Sequence, residues 1–383
     1  MIRRLLLTFC TLALAAALGA HAAEPIRIGT TQSLTGGLKE FGTNQLRGLQ
    51  MWAADVNSRG ELLGRPVEIV YYDDGSDPAR SAELYRKLIE QDRVDLLVGP
   101  YSSNITMAAS KVAEEHDFPM LTLGASADKI WAQGYENIVG LDVPSTRYMD
   151  IAVETAAAQG ARTLALVYGD NDFTRDVVPG VRSRARELGL EVVLDAPARS
   201  MADIPEQVKR LAAADADVIM AIAYLDGAVD LVRALKEAQV KPDMLVFGVA
   251  ASLAEFGQEL QGDAEGITGV TQWLRGVRLP GAQDFAYRYR KLYGNNPGAY
   301  AVLGYSGGQV IEAAVRLAGT TDHAAVRDQL HSMTFSSLLG IYKVDADGRQ
   351  VGKENYLLQW QGKDRRLVKP DKLAESKLIY PMP

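Results

Sequence analysis

The chain has 383 residues, with 41 Lys and Arg against 48 Asp and Glu and a formal net charge of −7. No basic run stands out, which argues against nucleic-acid binding, because neutralising phosphate takes clustered Lys and Arg. The one cysteine, Cys10, lies near the start, so a disulfide framework, a thiolate metal site and a cysteine nucleophile are excluded from everything downstream.

Arg3 and Arg4 precede an almost wholly apolar run from Leu5 to Leu18, and Ala20-His21-Ala22 or His21-Ala22-Ala23 supplies the small residues of a signal peptidase site. Residues 1–23 therefore read as a secretory signal peptide, cleaved near residue 22 or 23. The alternative, a membrane anchor, asks for roughly 20 apolar residues, and this run has about 14. Bulky Phe9 before Cys10 argues against a lipid attached there. Beyond residue 23, 360 residues remain, with 39 basic and 48 acidic side chains and a net charge of −9. That length is too great for one core and fits two domains.

From Pro25 onward, strand and helix patterns alternate. Pro25 to Leu34 opens as a strand, and Leu46, Leu49, Ala53 and Val56 follow at helical spacing. Val67 to Tyr72 is a second strand. Asp77-Pro78 starts a helix, since Asp accepts from free amide groups and Pro suits the first helical position. Val94 to Val98 and Pro119 to Leu123 are short, continuously apolar strands, as a parallel sheet covered on both faces requires. After Asp142-Val143-Pro144 the rhythm restarts, with strands over 163–168, 190–194, 218–224, 245–250 and 266–273. Residues 280–335 read as helical, and Ile341 to Val344 with Tyr356 to Gln361 resemble a hairpin around Asp347-Gly348. The fold class is α/β, with two similar doubly wound lobes.

A resemblance now enters. S-L-T-G-G (Ser33 to Gly37), F-G (Phe41-Gly42), A-A-D-V-N (Ala53 to Asn57), L-G-R-P-V-E-I-V-Y-Y-D-D (Leu63 to Asp74), L-L-V-G-P-Y-S-S (Leu96 to Ser103) and L-T-L-G-A-S (Leu121 to Ser126) occur in this order. Together the chain resembles the leucine/isoleucine/valine-binding family of type I periplasmic solute-binding proteins, and the likeness runs more loosely to near residue 383. The resemblance implies two lobes joined by a three-strand hinge, with residues 24–143 and 274–336 in the N-terminal lobe and 144–273 and 337–383 in the C-terminal lobe. It implies a monomer in the periplasm, without cofactor or catalysis. Such a protein binds a small carboxylate, an amino acid of the branched-chain type or a related acid, and serves the membrane permease subunits of an ABC transporter.

In open α/β sheets, ligands sit beyond the carboxyl ends of strands, where helix N-termini favour anions. Tyr101-Ser102-Ser103 and Gly124-Ala125-Ser126 follow two such strands. By resemblance, Ser103 and Ser126 give hydroxyls to the ligand carboxylate, Ala125 and Tyr101 help to complete the shell, and the Ser33–Gly42 loop forms one wall. Helix capping is the competing role for both serines. Phe173 and Tyr224 align with aromatics that close from the opposite lobe, with core packing as the alternative, and Trp273 is a weaker candidate. One departure stands out: where amino-acid binders of this family place an acid for the ligand ammonium, this chain has Ala250. Asp226 could substitute, or could cap a helix instead, and a ligand without an amine, aromatic or aliphatic, is the other solution.

Other signals are weak. Gly304 to Gly308 matches G-x-S-x-G inside a helical stretch, and Ser126 to Lys129 matches S-x-x-K without its partner motifs. His116, His323 and His331 lack zinc spacing, and His323 and His331, which flank one predicted helix, are expected to be solvated. Asp73, Asp74 and Asp77 are explained by a turn and a helix cap rather than calcium. A periplasmic sensor on the same scaffold is the alternative to a transport receptor, since fold does not fix function.

Overall fold

The computed structural model describes residues 23–198 and 203–383. The expected signal peptide, apart from residue 23, lies outside the described residues. No helix among the described residues is long and apolar enough to cross a membrane.

The first sheet is formed by β1 (Ile26–Gln32), β2 (Val67–Asp73), β3 (Leu96–Val98), β4 (Met120–Thr122) and β5 (Ile138–Gly140), in the order β2-β1-β3-β4-β5. All its pairings are parallel. β3, β4 and β5 are buried at every residue, which is why they carry no alternation. Around them run α1 (Lys39–Ser58), α2 (Pro78–Glu90) and α3 (Ser103–Glu115). The helix start expected at Asp77 is present: its carboxylate accepts from the Arg80 amide at 2.7 Å, with Pro78 in the first turn.

The second sheet repeats this order. Its parallel part is β7 (Glu191–Ala198), β6 (Thr163–Gly169), β8 (Val218–Ile222), β9 (Met244–Phe247) and β10 (Thr268–Thr271). α4 (Asp150–Ala158), α5 (Asp172–Glu187), α6 (Ile204–Ala214), α7 (Leu225–Glu237) and α8 (Ala254–Leu260) connect or flank these strands.

The chain then returns to the first sheet as α9 (Ala282–Tyr293), α10 (Ala299–Ala318) and α11 (His323–Ser332). α9 and α10 pack on α1: Tyr289 donates to Asn44, Tyr305 donates to Asp55, and Arg288 pairs with Asp55 at 2.6 Å. Glycines make the approach of α1 and α10 possible. A Cβ on Gly304 would sit 2.0 Å from the Gln45 carbonyl oxygen, and one on Gly308 2.1 Å from the Trp52 ring. The G-x-S-x-G motif is thus a helix-packing surface. Ser306 is fully buried in mid-helix, so the strand-to-helix elbow of a hydrolase is missing.

The expected hairpin between 341–344 and 356–361 is not formed. β12 (Gly340–Tyr342) pairs instead with β11 (Phe335–Ser337), while β13 (Tyr356–Gln361) turns at Gly362 and pairs with β14 (Asp364–Lys369). β13 also runs antiparallel to β10, so this hairpin extends the second sheet. The chain therefore passes between the sheets three times, near Asp142–Pro144, near Trp273–Gly276 and through residues 345–355. The first and third passages are stitched together: the Gly140 amide donates to the Gly348 carbonyl at 2.8 Å, and the Asn355 side chain donates to the Tyr148 carbonyl at 3.0 Å. The architecture is the two-lobed periplasmic binding protein type I fold.

Candidate functional site

The loops after β3 and β4 lie side by side. Ser102, not Ser103, caps α3, its Oγ accepting from the Ile105 amide at 3.4 Å. Ser102 takes φ of 77°, a left-handed conformation rare for a side chain with a Cβ. Ser103 is thereby released from capping. Its Oγ accepts instead from the Ser126 and Ala127 amides, at 3.3 and 3.1 Å. A hydroxyl has two acceptor positions and one proton; with both positions filled by amides, the Ser103 proton is left to donate. Ser126 Oγ accepts from the Ser145 hydroxyl at 3.3 Å, which also leaves its proton uncommitted. Gly124 allows the loops to touch, since a Cβ there would lie 2.6 Å from Gln45 and 2.8 Å from Tyr101.

Both serines face a cavity whose wall also includes Tyr101, Asp142, Tyr148, Phe173, Tyr224, Gln272 and Tyr300. Phe41 stacks on Tyr101 at 4.6 Å and meets Tyr300 and Tyr224 edge-on at 4.8 and 5.7 Å. Tyr148 and Phe173 meet edge-on at 5.0 Å. Aromatic side chains thus come from both lobes, with Phe41 and Tyr101 from the first and Phe173 and Tyr224 from the second. The cavity holds only about 20 Å³, room for about one water, because the lobes touch across it. Lys129 pairs with Asp172, and the Asp172 amide donates to Asn104 at 3.2 Å. Beyond Phe173, Tyr224 and Val249, an apolar pocket of about 280 Å³ opens among the ends of β6, β7 and β8. A larger groove of about 810 Å³ lies on another face, between α8, the second passage and the β13–β14 hairpin, and contains none of the serine-loop residues.

Of the residues singled out in the sequence, Tyr101, Ser103, Ser126, Phe173 and Tyr224 line this cavity. Ala125 is next to it in the chain, but its side chain is fully buried in the core with Tyr85, Val112 and Trp131. Asp226 is not brought in. It lies in the first turn of α7 with an exposed side chain, and Tyr224, rather than Asp226, is the residue that precedes the helix. Ala250 is buried in a 3-10 turn. Trp273 lines the large groove instead. The Ser33–Gly42 loop is pinned by the two acids after β2. Asp74 accepts from Ser33 and Thr31 hydroxyls at 2.7 and 3.0 Å, and Asp73 from the Leu34 and Thr35 amides. His323 and His331 are not simply solvated: each ring contacts a backbone carbonyl, of Asp95 and Glu136 respectively. No group of acidic, histidine or cysteine side chains among the described residues is arranged to hold a metal.

Asp142, Tyr148, Gln272 and Tyr300, which also line the cavity, were missed in the sequence. Asp142 is fully buried on the first passage. Its carboxylate accepts from the Val143 amide at 2.7 Å and from Gln272, on the second passage, at 2.8 Å. Burial pushes its pKa up, to about 7, against the opposing charge of Lys353 on the third passage. Burial pushes Lys353 down, to about 8, against the pull of Asp142. Burial likewise raises the Tyr224 phenol to about 12, so it stays a neutral donor.

Two lobes of one topology, joined by three passages and presenting hydroxyl donors opposite aromatic rings, define a two-lobed solute-binding protein. Residues 25–365 match the family model described as periplasmic binding protein, and the chain belongs to that family. Among curated proteins it is similar to the Leu/Ile/Val-binding protein homolog 7 of Brucella abortus, 27% identical over 94% of this chain and 96% of that one. Among solved structures, it superposes on the branched-chain amino acid substrate-binding protein LivJ of Streptococcus pneumoniae in complex with isoleucine, with a TM-score of 0.79 and 22% identity over 94% of this chain and 100% of that one. A solute-binding protein from R. palustris in complex with benzoate gives the same TM-score and identity, over 94% of this chain and 97% of that one.

Proposed function

We propose that this protein is the exported, periplasmic receptor of an ABC importer, and that it closes over one small carboxylate ligand and presents it to the permease subunits without chemical change. The observation that carries this reading is the pair of uncommitted hydroxyl protons on Ser103 and Ser126, which converge beside the N-terminus of α3 and opposite Phe173 and Tyr224. Hydroxyl donors at a helix N-terminus favour an anion. Tyr101, Tyr148 and Tyr300 supply further donors, and the apolar pocket beyond Tyr224 offers space for the ligand's body.

We divide the lobes as residues 24–143 with 274–336 and residues 144–273 with 337–383, except that the third boundary falls later. β12 pairs with β11, and the Tyr342 hydroxyl donates to the Leu330 carbonyl at 2.7 Å, so residues up to about 342 go with the first lobe. With a cavity of about 20 Å³ in the closed state, ligand entry requires the lobes to part. Only the closed form makes both sets of contacts, so ligand shifts the open–closed equilibrium. Titration calorimetry with small carboxylates should give one site per monomer, and X-ray scattering should show compaction on binding. A tightly bound ligand that leaves the scattering profile unchanged would refute closure.

A further inference from the structure

Polar and charged groups of the two lobes meet beside the serine loops. Asn104 and Lys129 come from the first lobe, Asn104 in the first turn of α3 and Lys129 in the 3-10 turn after Ser126. Asp172 and Asp176 come from the second, at the start of α5. The Lys129 ammonium pairs with the Asp172 carboxylate. The Asp172 amide donates to the Asn104 side-chain oxygen at 3.2 Å, and the Lys129 amide donates to the Asp176 carboxylate at 3.4 Å. The paired Lys129 and Asp172 side chains are only 35% and 17% exposed, so salt and water screen them less than a pair in open solvent. Asp172 is shared with Arg175 of its own helix at 3.4 Å. Asp128, beside Lys129 in the chain, is engaged elsewhere, by the Thr146 amide at 2.9 Å and by Arg349 at 3.7 Å. Each member of the cluster adjoins a residue of the cavity wall in sequence: Asn104 follows Ser103, Asp172 precedes Phe173, and Lys129 ends the S-x-x-K motif that starts at Ser126.

We propose that Lys129 and Asp172, backed by Asn104, form a latch that holds the lobes shut and so sets how long a ligand stays, without touching it. The inference rests on the closing-receptor reading given above. A hydrogen bond is lost once donor and acceptor part beyond about 3.5 Å, so these contacts exist only while the lobes are together. They stabilise the closed form alone and shift the open–closed equilibrium toward it. The lysine of the S-x-x-K motif thereby has a task that needs no nucleophile. Lys129 and Asp172 do not line the cavity, so the latch does not choose among ligands. Breaking it weakens every ligand by the same factor, through faster departure rather than slower arrival.

The test compares the mature chain with Lys129→Met, Asp172→Asn and the double variant by X-ray scattering without added ligand. Each single variant should raise the ratio of open to closed molecules about two- to fivefold and so enlarge the mean radius of gyration. The double variant should be no more open than either single, because both changes break one contact. Lys111→Met, which breaks an ion pair with Glu115 inside α3, should stay as compact as the native chain. Added salt should open the native chain and leave the double variant as it is. Stopped-flow binding with leucine and 4-methylpentanoate as probes adds a kinetic arm. Either probe that binds should leave Lys129→Met about two- to fivefold faster, with its association rate little changed. Single variants as compact as the native chain, or effects that simply add in the double variant, overturn the latch alone. A probe that binds tightly yet compacts neither the native chain nor the opened variants overturns the closing-receptor reading and the latch with it. Should neither probe bind, the ligand-free scattering decides; should Asp172→Asn fail to fold, Lys129→Met and the salt series decide.

Discussion

At the scale of single residues, the two loop serines differ from the helix caps that their positions suggest. Ser102 takes the capping task at the cost of a left-handed backbone, and this frees Ser103 to organise the neighbouring loop. Ser103→Ala therefore removes both a ligand donor and the acceptor for two amides, whereas Ser126→Ala removes a donor and the acceptor for the Ser145 hydroxyl alone. Each should weaken a carboxylate ligand by about 10- to 100-fold, the scale of a charge-assisted hydrogen bond of roughly 1.5–3 kcal/mol. Calorimetry reads that loss, and thermal melts should show Ser103→Ala to be the more destabilised protein. The serines were legible in the sequence because they lie in motifs of recognisable order, and Phe173 and Tyr224 through the resemblance to the family. Asp142 was not. Its place in the cavity depends on three passages, distant in sequence, meeting at one point, and no local pattern announces that.

At the scale of elements, α1 and α10 are held together by absent side chains. Gly304 and Gly308 let the helices approach until a Cβ has no room beside the Gln45 carbonyl or the Trp52 ring. Gly304→Ala meets backbone, which cannot swing away, so it should destabilise by about 1–3 kcal/mol or more, the range for overpacking. Denaturant unfolding measures this, and ligand affinity per folded molecule should change little. Most elements were readable from periodicity. β3 and β4 announce themselves as continuous apolar runs, and α1 by Leu46, Leu49, Ala53 and Val56, all buried. β14 was hidden because Asp364, Arg365 and Arg366 open a strand with charge. Its partner β13 was then assigned to the wrong neighbour, because alternation reveals a strand but not what it pairs with.

At the scale of the whole molecule, two buried ionisable groups, Asp142 and Lys353, tie stability to pH. Burial raises Asp142 to about 7 against an ordinary carboxylate value of 3.8, so its contribution is full below about 3.8 and is lost as pH rises through about 7. Burial lowers Lys353 to about 8 from 10.5, so its contribution is present above about 10.5 and is lost as pH falls through about 8. Tyr148 and Tyr300, which also feel the Asp142 charge, stay neutral across this range, because burial raises both phenols. Asp142→Asn should flatten the fall in unfolding free energy between about pH 4 and 7, as read by urea titrations across that range. The first lobe is also assembled from two distant stretches of the chain. Without α10, α1 would leave Leu46, Leu49 and Trp52 bare, so residues 24–143 expressed alone should lack a cooperative melting transition in calorimetry. Tyr289 reaches Asn44 across 245 residues of sequence. While a ribosome is still making the chain, then, the first lobe waits for its own late helices and cannot set until they emerge.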